Sequence, residues 1–469
     1  MSDFSARIKR RTFLQGAAGA AVLLATGCGG EDTSVQQSTG GGTAPTVEFK
    51  EPSAKLSGDL KILMWSHFVP RHDKWFDPFA KDWGKKVGVN VTVDHIDNTQ
   101  IPARIESEIG AGSGHDIIQY IGPLPQFEPS MLDLTDLTQE AEKRFGKQAD
   151  LCHKCSFNPK TNKFFAYSPS WAPDPGDYRK SLWKKAGMGD GPASYDDLLK
   201  GGAEIKKQGV QLGIGMSPEI DSNMAARALI WSFGGAEQDE NANVTINSPE
   251  TVAAVDYMTK LFKGAMTEEV FGWNPASNNQ GLIAGKMSFI LNSISAFRTM
   301  QGVNPTAAND VGFVKALEGP KGGFAAQHVM YNYLVPKFSK NADAAKEFLL
   351  HYTHNWARTT WESELYDFPA FPDRVPKLND WLEKDPFGSK PANKLAVLKD
   401  ATDWSRNVGY PGYANAAIGE VFGTFVLPNM LARAARGKQS PQEAVASAEG
   451  QMKPIFAKWR QKGLIGSAS

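Results

Sequence analysis

Three cysteines in 469 residues are too few for a disulfide-stapled scaffold or a paired-cysteine zinc module, both of which need several cysteines at short repeated spacings. An excess of charge of one sign is missing too. Lysine and arginine number 51, as do aspartate and glutamate, so no overall field draws the chain to nucleic acid or to an anionic membrane. Beyond the N-terminal region no segment approaches the roughly 18 uninterrupted apolar residues of a membrane span. The sequence also lacks a G-x-S-x-G elbow, a P-loop and an H-E-x-x-H pair, which removes the commonest local signatures of hydrolases, nucleotide enzymes and zinc proteases. What is present is 41% hydrophobic residues and 12 tryptophans, enough for a sizeable core divided over more than one lobe.

The N-terminus carries the sharpest local pattern. Lys9-Arg10-Arg11 leads into Thr12-Phe13-Leu14 and a short apolar run to Leu24, an export signal too short to cross a bilayer comfortably. Arg10-Arg11-Thr12-Phe13-Leu14 resembles the twin-arginine signal, whose passengers are exported folded, with general secretion as the alternative. Leu24-Ala25-Thr26-Gly27-Cys28 resembles a lipoprotein cleavage site, so Cys28 is expected to carry the lipid. An ordinary signal cleavage is the alternative. Residues 28–58, rich in Gly, Ser, Thr, Gln and Pro, are expected to form a flexible tether.

Regular structure is predicted to begin with a strand at Leu60–Trp65. A helix follows in which Trp75, Phe76, Phe79, Ala80 and Trp83 recur at helical spacing, stopped by Gly88. Val89, Val91 and Val93 alternate as a second strand, Ile101–Ile109 reads as a helix, and Asp116–Tyr120 as a third strand. This β-α-β-α-β order predicts an α/β protein with a mostly parallel sheet. Ligands of such sheets lie beyond the carboxyl ends of the strands, which places Trp65, Ser66, His67 and Tyr120 at a cleft edge. Asp116, after Gly112-Ser113-Gly114, is expected to hold a loop rather than a ligand.

Several segments then resemble, in order, family 1 extracellular solute-binding proteins of ABC importers, the maltose-binding-protein type. They are the strand ending at Trp65, Gly112–Asp116, Tyr178–Gly187, Gly191–Leu198, Phe233-Gly234-Gly235, Gly285–Phe289, Val335-Pro336-Lys337 with Asn341–Tyr352, and Gly437–Ala444. The resemblance spans residues 59–462. It implies a two-lobed type II periplasmic-binding-protein fold that closes over a ligand by hinge motion. The implied lobes are 59–168 with 318–368 and 169–317 with 369–469, after an export signal at 1–27. Crossovers are expected near Ala166–Trp171, Phe313–Leu317 and Asp367–Phe371. It further implies a monomer at the outer face of the cytoplasmic membrane or in the periplasm. Such a protein captures a small solute for ABC permease transmembrane subunits, without catalysis, cofactor, metal or nucleic acid.

Aromatic faces and a few fixed polar groups serve such capture. Trp65, Trp171 and Trp273 are the aromatic candidates, and Asn292, Ser293, Gln327, His328 and Tyr410 the polar ones, whereas Trp231 reads as core. This set contains no cluster of charge, which favours a neutral polyhydroxylated ligand, a sugar or oligosaccharide, with polyamines, glycerol phosphates and metal complexes as other ligands of the resembled family. Cys152-His153-Lys154-Cys155 lacks the partners of a haem or zinc motif, so a local disulfide is expected after export. His351 and His354 read as helix-surface residues. A glycan-active enzyme and a non-transporting receptor or assembly protein are the rival readings.

Overall fold

The computed structural model describes residues 42–466; Arg10, Arg11 and Cys28 lie outside the described residues. The first strand, β1 (Gly58–Trp65), buries Leu60 and every residue from Ile62 to Trp65. Next, α1 (Pro70–Val87) starts on a proline whose fixed φ suits a first helical turn. Its buried Phe76, Phe79, Ala80 and Trp83 fall on one helical face. It ends at Gly88, where φ is 79°, a left-handed conformation that glycine adopts without steric cost. Strand β2 (Val89–Ile96) runs parallel to β1 with Leu60 opposite Val91 and Ile62 opposite Val93. Helix α2 (Ile101–Ala111) and β3 (Ile117–Tyr120) complete the alternation read from the sequence.

The chain continues through α3 (Asp150–Ser156) and β4 (Tyr167–Ala172), then passes Pro173-Asp174-Pro175 into β5 (Gly176–Arg179). There follow β6 (Gln211–Gly213), α4 (Ile220–Phe233), α5 (Pro249–Ala265), β7 (Met287–Leu291) and β8 (Val311–Val314). It returns as β9 (Val329–Leu334), α6 (Ala342–His354), α7 (Trp356–Glu362) and β10 (Phe368–Pro369), and closes with α8 (Ala416–Gly423), α9 (Val426–Ala435) and α10 (Pro441–Gln461).

Two sheets result, one of six strands in the order β10-β4-β9-β3-β1-β2 and one of four in the order β8-β5-β7-β6. The larger sheet is mixed rather than mostly parallel: β9 is antiparallel to β3 and β4, and β10 to β4. The cause is the route of the chain. Strand β9, arriving from the second sheet, enters at the edge where β1, β3 and β4 end, so it must run against them; β10 starts at that same edge after α7 and so also runs against β4. The two-lobed α/β class stands. No described helix is long and apolar enough to cross a membrane.

Three local expectations are met differently. Residues 42–57, expected within the flexible tether, lie docked on α6 and α7. Asn355 Oδ1 accepts from Glu48 N–H at 2.7 Å, Asn355 Nδ2 donates to the Glu48 carbonyl at 2.9 Å, and Arg358 donates to the Pro45 carbonyl at 3.1 Å. Val47 and Phe49 pack on the core there, an apolar pair hidden in a polar composition. Cys152 and Cys155 are buried free thiols on α3, so the expected bridge does not appear, and burial pushes Cys155 up to about 12. His351 is buried and stacks on Phe79 at 5.2 Å, because the docked segment covers its helix face. Asp116 does hold a loop, accepting from Lys61 N–H at 2.9 Å and from the Ser339 hydroxyl at 2.7 Å.

Candidate functional site

The ends of β1, β3 and β4 and the starts of β9 and β10 meet at the edge of the larger sheet that leads to the smaller one. Trp65 closes β1 and packs against His67 at 4.9 Å and Tyr331 of β9 at 6.3 Å between ring centres. His67 Nε2 stands 3.2 Å from the Tyr331 hydroxyl and 3.3 Å from Asp367 Oδ1, and the Tyr331 hydroxyl donates to Asp367 at 2.6 Å. Burial alone would raise the Asp367 carboxyl, but the His67 imidazole, helped by His72 and Tyr331, holds it below the ordinary carboxylate range. Tyr366 sets its ring edge-on to His67 at 5.2 Å and to His328 at 6.2 Å. The aromatic wall thus runs from β1 to the second crossover.

From the other sheet come acids and amides. His328 Nδ1 lies 3.0 Å from Asp174 Oδ1 in the first crossover, which falls at Pro173–Pro175 and not at Ala166–Trp171 as expected, because β4 takes up Tyr167–Ala172 in the larger sheet. Burial works against the imidazolium, yet Asp174, Asp221 and Glu219 outweigh it and raise the His328 pKa. Glu219 caps α4, accepting from the Asp221 and Ser222 N–H groups at 2.6 Å each. Asn278 donates to Asp221 Oδ2 at 2.7 Å and to the Leu291 carbonyl at 3.4 Å, and Asn292 N–H donates to the Pro175 carbonyl at 3.2 Å. Asp174, Asp221, Asn292 and Ser293 are thereby gathered around the first crossover. Burial, with Asp221 nearby, pushes Glu219 up to about 8, and burial pushes Asp221 up to about 6 and Asp177 well above its usual value.

Many of these groups are buried without a protein partner: Trp65 Nε1, the Tyr366 hydroxyl, Asn292 Oδ1, Ser293 Oγ, Asp221 Oδ1 and both carboxylate oxygens of Asp177. Buried polar atoms are nearly always paired in folded proteins; others without a partner are scattered through the molecule, but these belong to segments that meet at the junction, where a polar ligand would supply the missing partners. Among the described residues no group of three or more His, Cys, Asp or Glu could hold a metal ion.

The structure brings Trp65, His67, His328, Asn292 and Ser293 to this junction and distributes the rest around it. Tyr120 ends β3, buried, its phenol pushed up to about 12 by desolvation. Ser66 is exposed beside it, its N–H donating to the Ile96 carbonyl. Trp273 is half-buried over the end of β6, its carbonyl accepting from Ser217 at 3.0 Å. Gln327 is fully buried and its Oε1 accepts from Val408 N–H at 3.0 Å, tying the second crossover to the segment near Tyr410. Tyr410 packs on Trp231 at 5.6 Å. Trp171 pairs across the sheet with Met330 and Phe368, whereas Tyr331 pairs with Ser170; successive strand residues face opposite ways, so Trp171 points away from the Trp65 side. It lines a cavity of about 360 Å³ with Phe368, Pro372 and Leu398.

Asp174, Asp177, Asp221, Tyr366 and Asp367 stand at or beside the junction but are not among the sequence candidates, and they add acidic groups to a set that contained none. The one available signal was two aspartates in the proline-rich Pro173-Asp174-Pro175-Gly176-Asp177 run, a stretch too conformationally restricted to be a casual surface loop.

A family model described as "Bacterial extracellular solute-binding protein" matches residues 70–359, more than half of the chain. A Brucella abortus binding protein is 23% identical over 175 residues, 37% of this chain and 42% of the relative. A Deinococcus radiodurans protein described as a "Probable ABC transporter-binding protein" is 25% identical over 184 residues, 38% of this chain and 44% of the relative. The chain therefore spans less than half the length of these curated relatives. Among solved structures, maltose-bound T. maritima MalE3 superposes with a TM-score of 0.70 at 19% identity, covering 85% of this chain and 100% of that one. The GacH receptor of Streptomyces glaucescens, solved unliganded and with acarbose, gives 0.69 at 20% identity, covering 86% and 99%. At these identities the structural likeness shows the fold.

Proposed function

Because the chain belongs to the bacterial extracellular solute-binding protein family, we propose that it is the receptor of an ABC importer, capturing a polyhydroxylated solute such as a sugar and presenting it to permease subunits. The observation that carries this reading is the set of unpartnered polar atoms drawn from both sheets to one junction: Trp65 Nε1 and the Tyr366 hydroxyl from one side, Asn292 Oδ1 and Ser293 Oγ from the other. A sugar offers C–H faces to an indole and hydroxyls to amides and hydroxyls. Structural neighbours named for maltose, laminaribiose and tagatose support the solute class. Contributions from both sides make binding and lobe closure one event. The chain captures and releases without chemistry, outside the cytoplasmic membrane, held there through a lipid on Cys28. The two lobes divide near 173–175, 315–328 and 369–371.

The test is calorimetry and small-angle scattering with sugars that raise the melting temperature. Ligand is expected to reduce the radius of gyration, and Trp65→Ala to weaken binding by about 30-fold, the loss typical of a desolvated aromatic anchor. Trp171→Ala is expected to cost less, since its ring faces the cavity beside Phe368. Unchanged dimensions and unchanged affinity in Trp65→Ala would reject capture by closure at this junction.

A further inference from the structure

Four carboxylates stand on the smaller sheet's side of the junction or in the crossover that leads to it: Asp174, Asp177, Glu219 and Asp221. Their ordinary structural uses differ. Glu219 is consumed as the α4 cap, and Asp174 is bonded to His328. Asp221 spends only one oxygen, on Asn278, while its Oδ1 is buried and unpartnered. Asp177, 0% exposed on β5, has no partner for either oxygen.

The cations within reach are His328 and Lys394. The Lys394 ammonium is already engaged, donating to the Ala308 carbonyl at 2.7 Å and lying 4.6 Å from the centre of the Phe297 ring. His67 is matched separately by Asp367. Burial pushes Asp177, Glu219 and Asp221 toward their neutral forms, so these acids carry charge fully only when a cation joins them. Buried oxygens without a partner are expensive to hold, and a ligand that brings positive charge with hydrogen-bond donors supplies both the partner and the counter-charge. Independent of the acids, the Tyr366 hydroxyl, 0% exposed and without a partner, is close enough to feel the charges of Asp221 and Asp174, and its ring lies 6.2 Å from the imidazole that Asp174 holds. Ser293 Oγ and Asn292 Oδ1, in residues 1% exposed, add two more unpartnered groups next to Pro175. A metal ion does not suit the donors, because no group of three among the described residues converges on one point. An ammonium group, which needs acceptors spread around it rather than a closed coordination shell, does.

We propose that the captured solute is a polyhydroxylated amine, an amino sugar in the simplest case, whose protonated amino group is taken by the Asp221 carboxylate, with Asp174 and Asp177 adding negative charge from the first crossover and β5, while its hydroxyls meet Asn292, Ser293 and Tyr366. This rests on the reading of the chain as a solute receptor and names the chemistry of its solute. Trp65 then supplies an aromatic face for the ring.

The experiment is calorimetry on the full chain at neutral pH with matched probes: glucosamine against glucose, galactosamine against galactose, and chitosan oligosaccharides against cello-oligosaccharides of equal length. The amino member of at least one pair is expected to bind about 30-fold or more tighter, and Asp221→Asn, which keeps shape and can still accept from Asn278, to remove most of that preference. Asp177→Asn gives the same readout from the strand. Equal or tighter binding of the neutral members overturns the charge assignment and leaves sugar capture standing. Amine preference that survives in both variants overturns the assigned carboxylates. Silence from every probe overturns sugar and amino-sugar capture together.

Discussion

His351 illustrates what burial does to a single imidazole in this protein. Its ring lies 5.2 Å from Phe79 at 9° between planes, and Nδ1 has no partner. Burial first, then the charges of His354 and Lys86, push its pKa down to about 4. The folded chain therefore refuses a proton that the unfolded chain accepts near 6.5. Its stabilising contribution is complete above pH 6.5 and is lost as pH falls toward 4, by about 1–3 kcal/mol for a shift of this size. His351→Phe keeps the stack and removes the titration. Denaturant midpoints at pH 7.5 and 4.5 should then fall further for the parent than for the variant; an equal fall would reject the assignment.

At the scale of an element, the docked segment 42–57 has no regular secondary structure, and one side chain bonds its backbone at two atoms. Asn355 satisfies both the N–H and the carbonyl of Glu48 and also donates to the His351 carbonyl at 2.9 Å. Asn355→Ala leaves those backbone groups to find water, at a cost of about 1–3 kcal/mol. Much of that cost falls on local undocking rather than global unfolding. Limited proteolysis should therefore cut the variant within 42–57 at protease levels that spare the parent, while the remaining domain keeps its circular dichroism. Resistance equal to that of the parent would show that the apolar contacts of Val47 and Phe49 suffice.

For the molecule as a whole, 42–57 is docked on α6 and α7, helices of the larger sheet, so an anchor upstream of it would leave the proposed movement of the smaller sheet unhindered. A lipid on Cys28 would then tether one lobe and let the other close. Replacing Cys28 by alanine should move the exported protein from the membrane to the soluble fraction without changing its melting temperature, because the residue lies far upstream of the core in sequence. Retention in the membrane fraction would remove the anchor.

The local features were legible because each is written within a few residues. The apolar stripe Phe76, Phe79, Ala80 and Trp83, the stop at Gly88 and the alternation of Val89, Val91 and Val93 depend on backbone period and on glycine's freedom, and they stand as α1 and β2 in the structure. Trp65 ends β1, as the sequence predicts, because a strand end is a local event. The same reasoning could not say that β9 runs against β3, since direction depends on which sheet the chain is returning from. Nor could it separate the Trp171 face from the Tyr331 face, which register across β4 and β9 decides. The buried acids were least accessible: Asp174, Asp177 and Asp221 are ordinary acids in sequence, and only the meeting of crossover, strand and helix start buries them, where loss of water leaves oxygens of Asp177 and Asp221 in need of a partner.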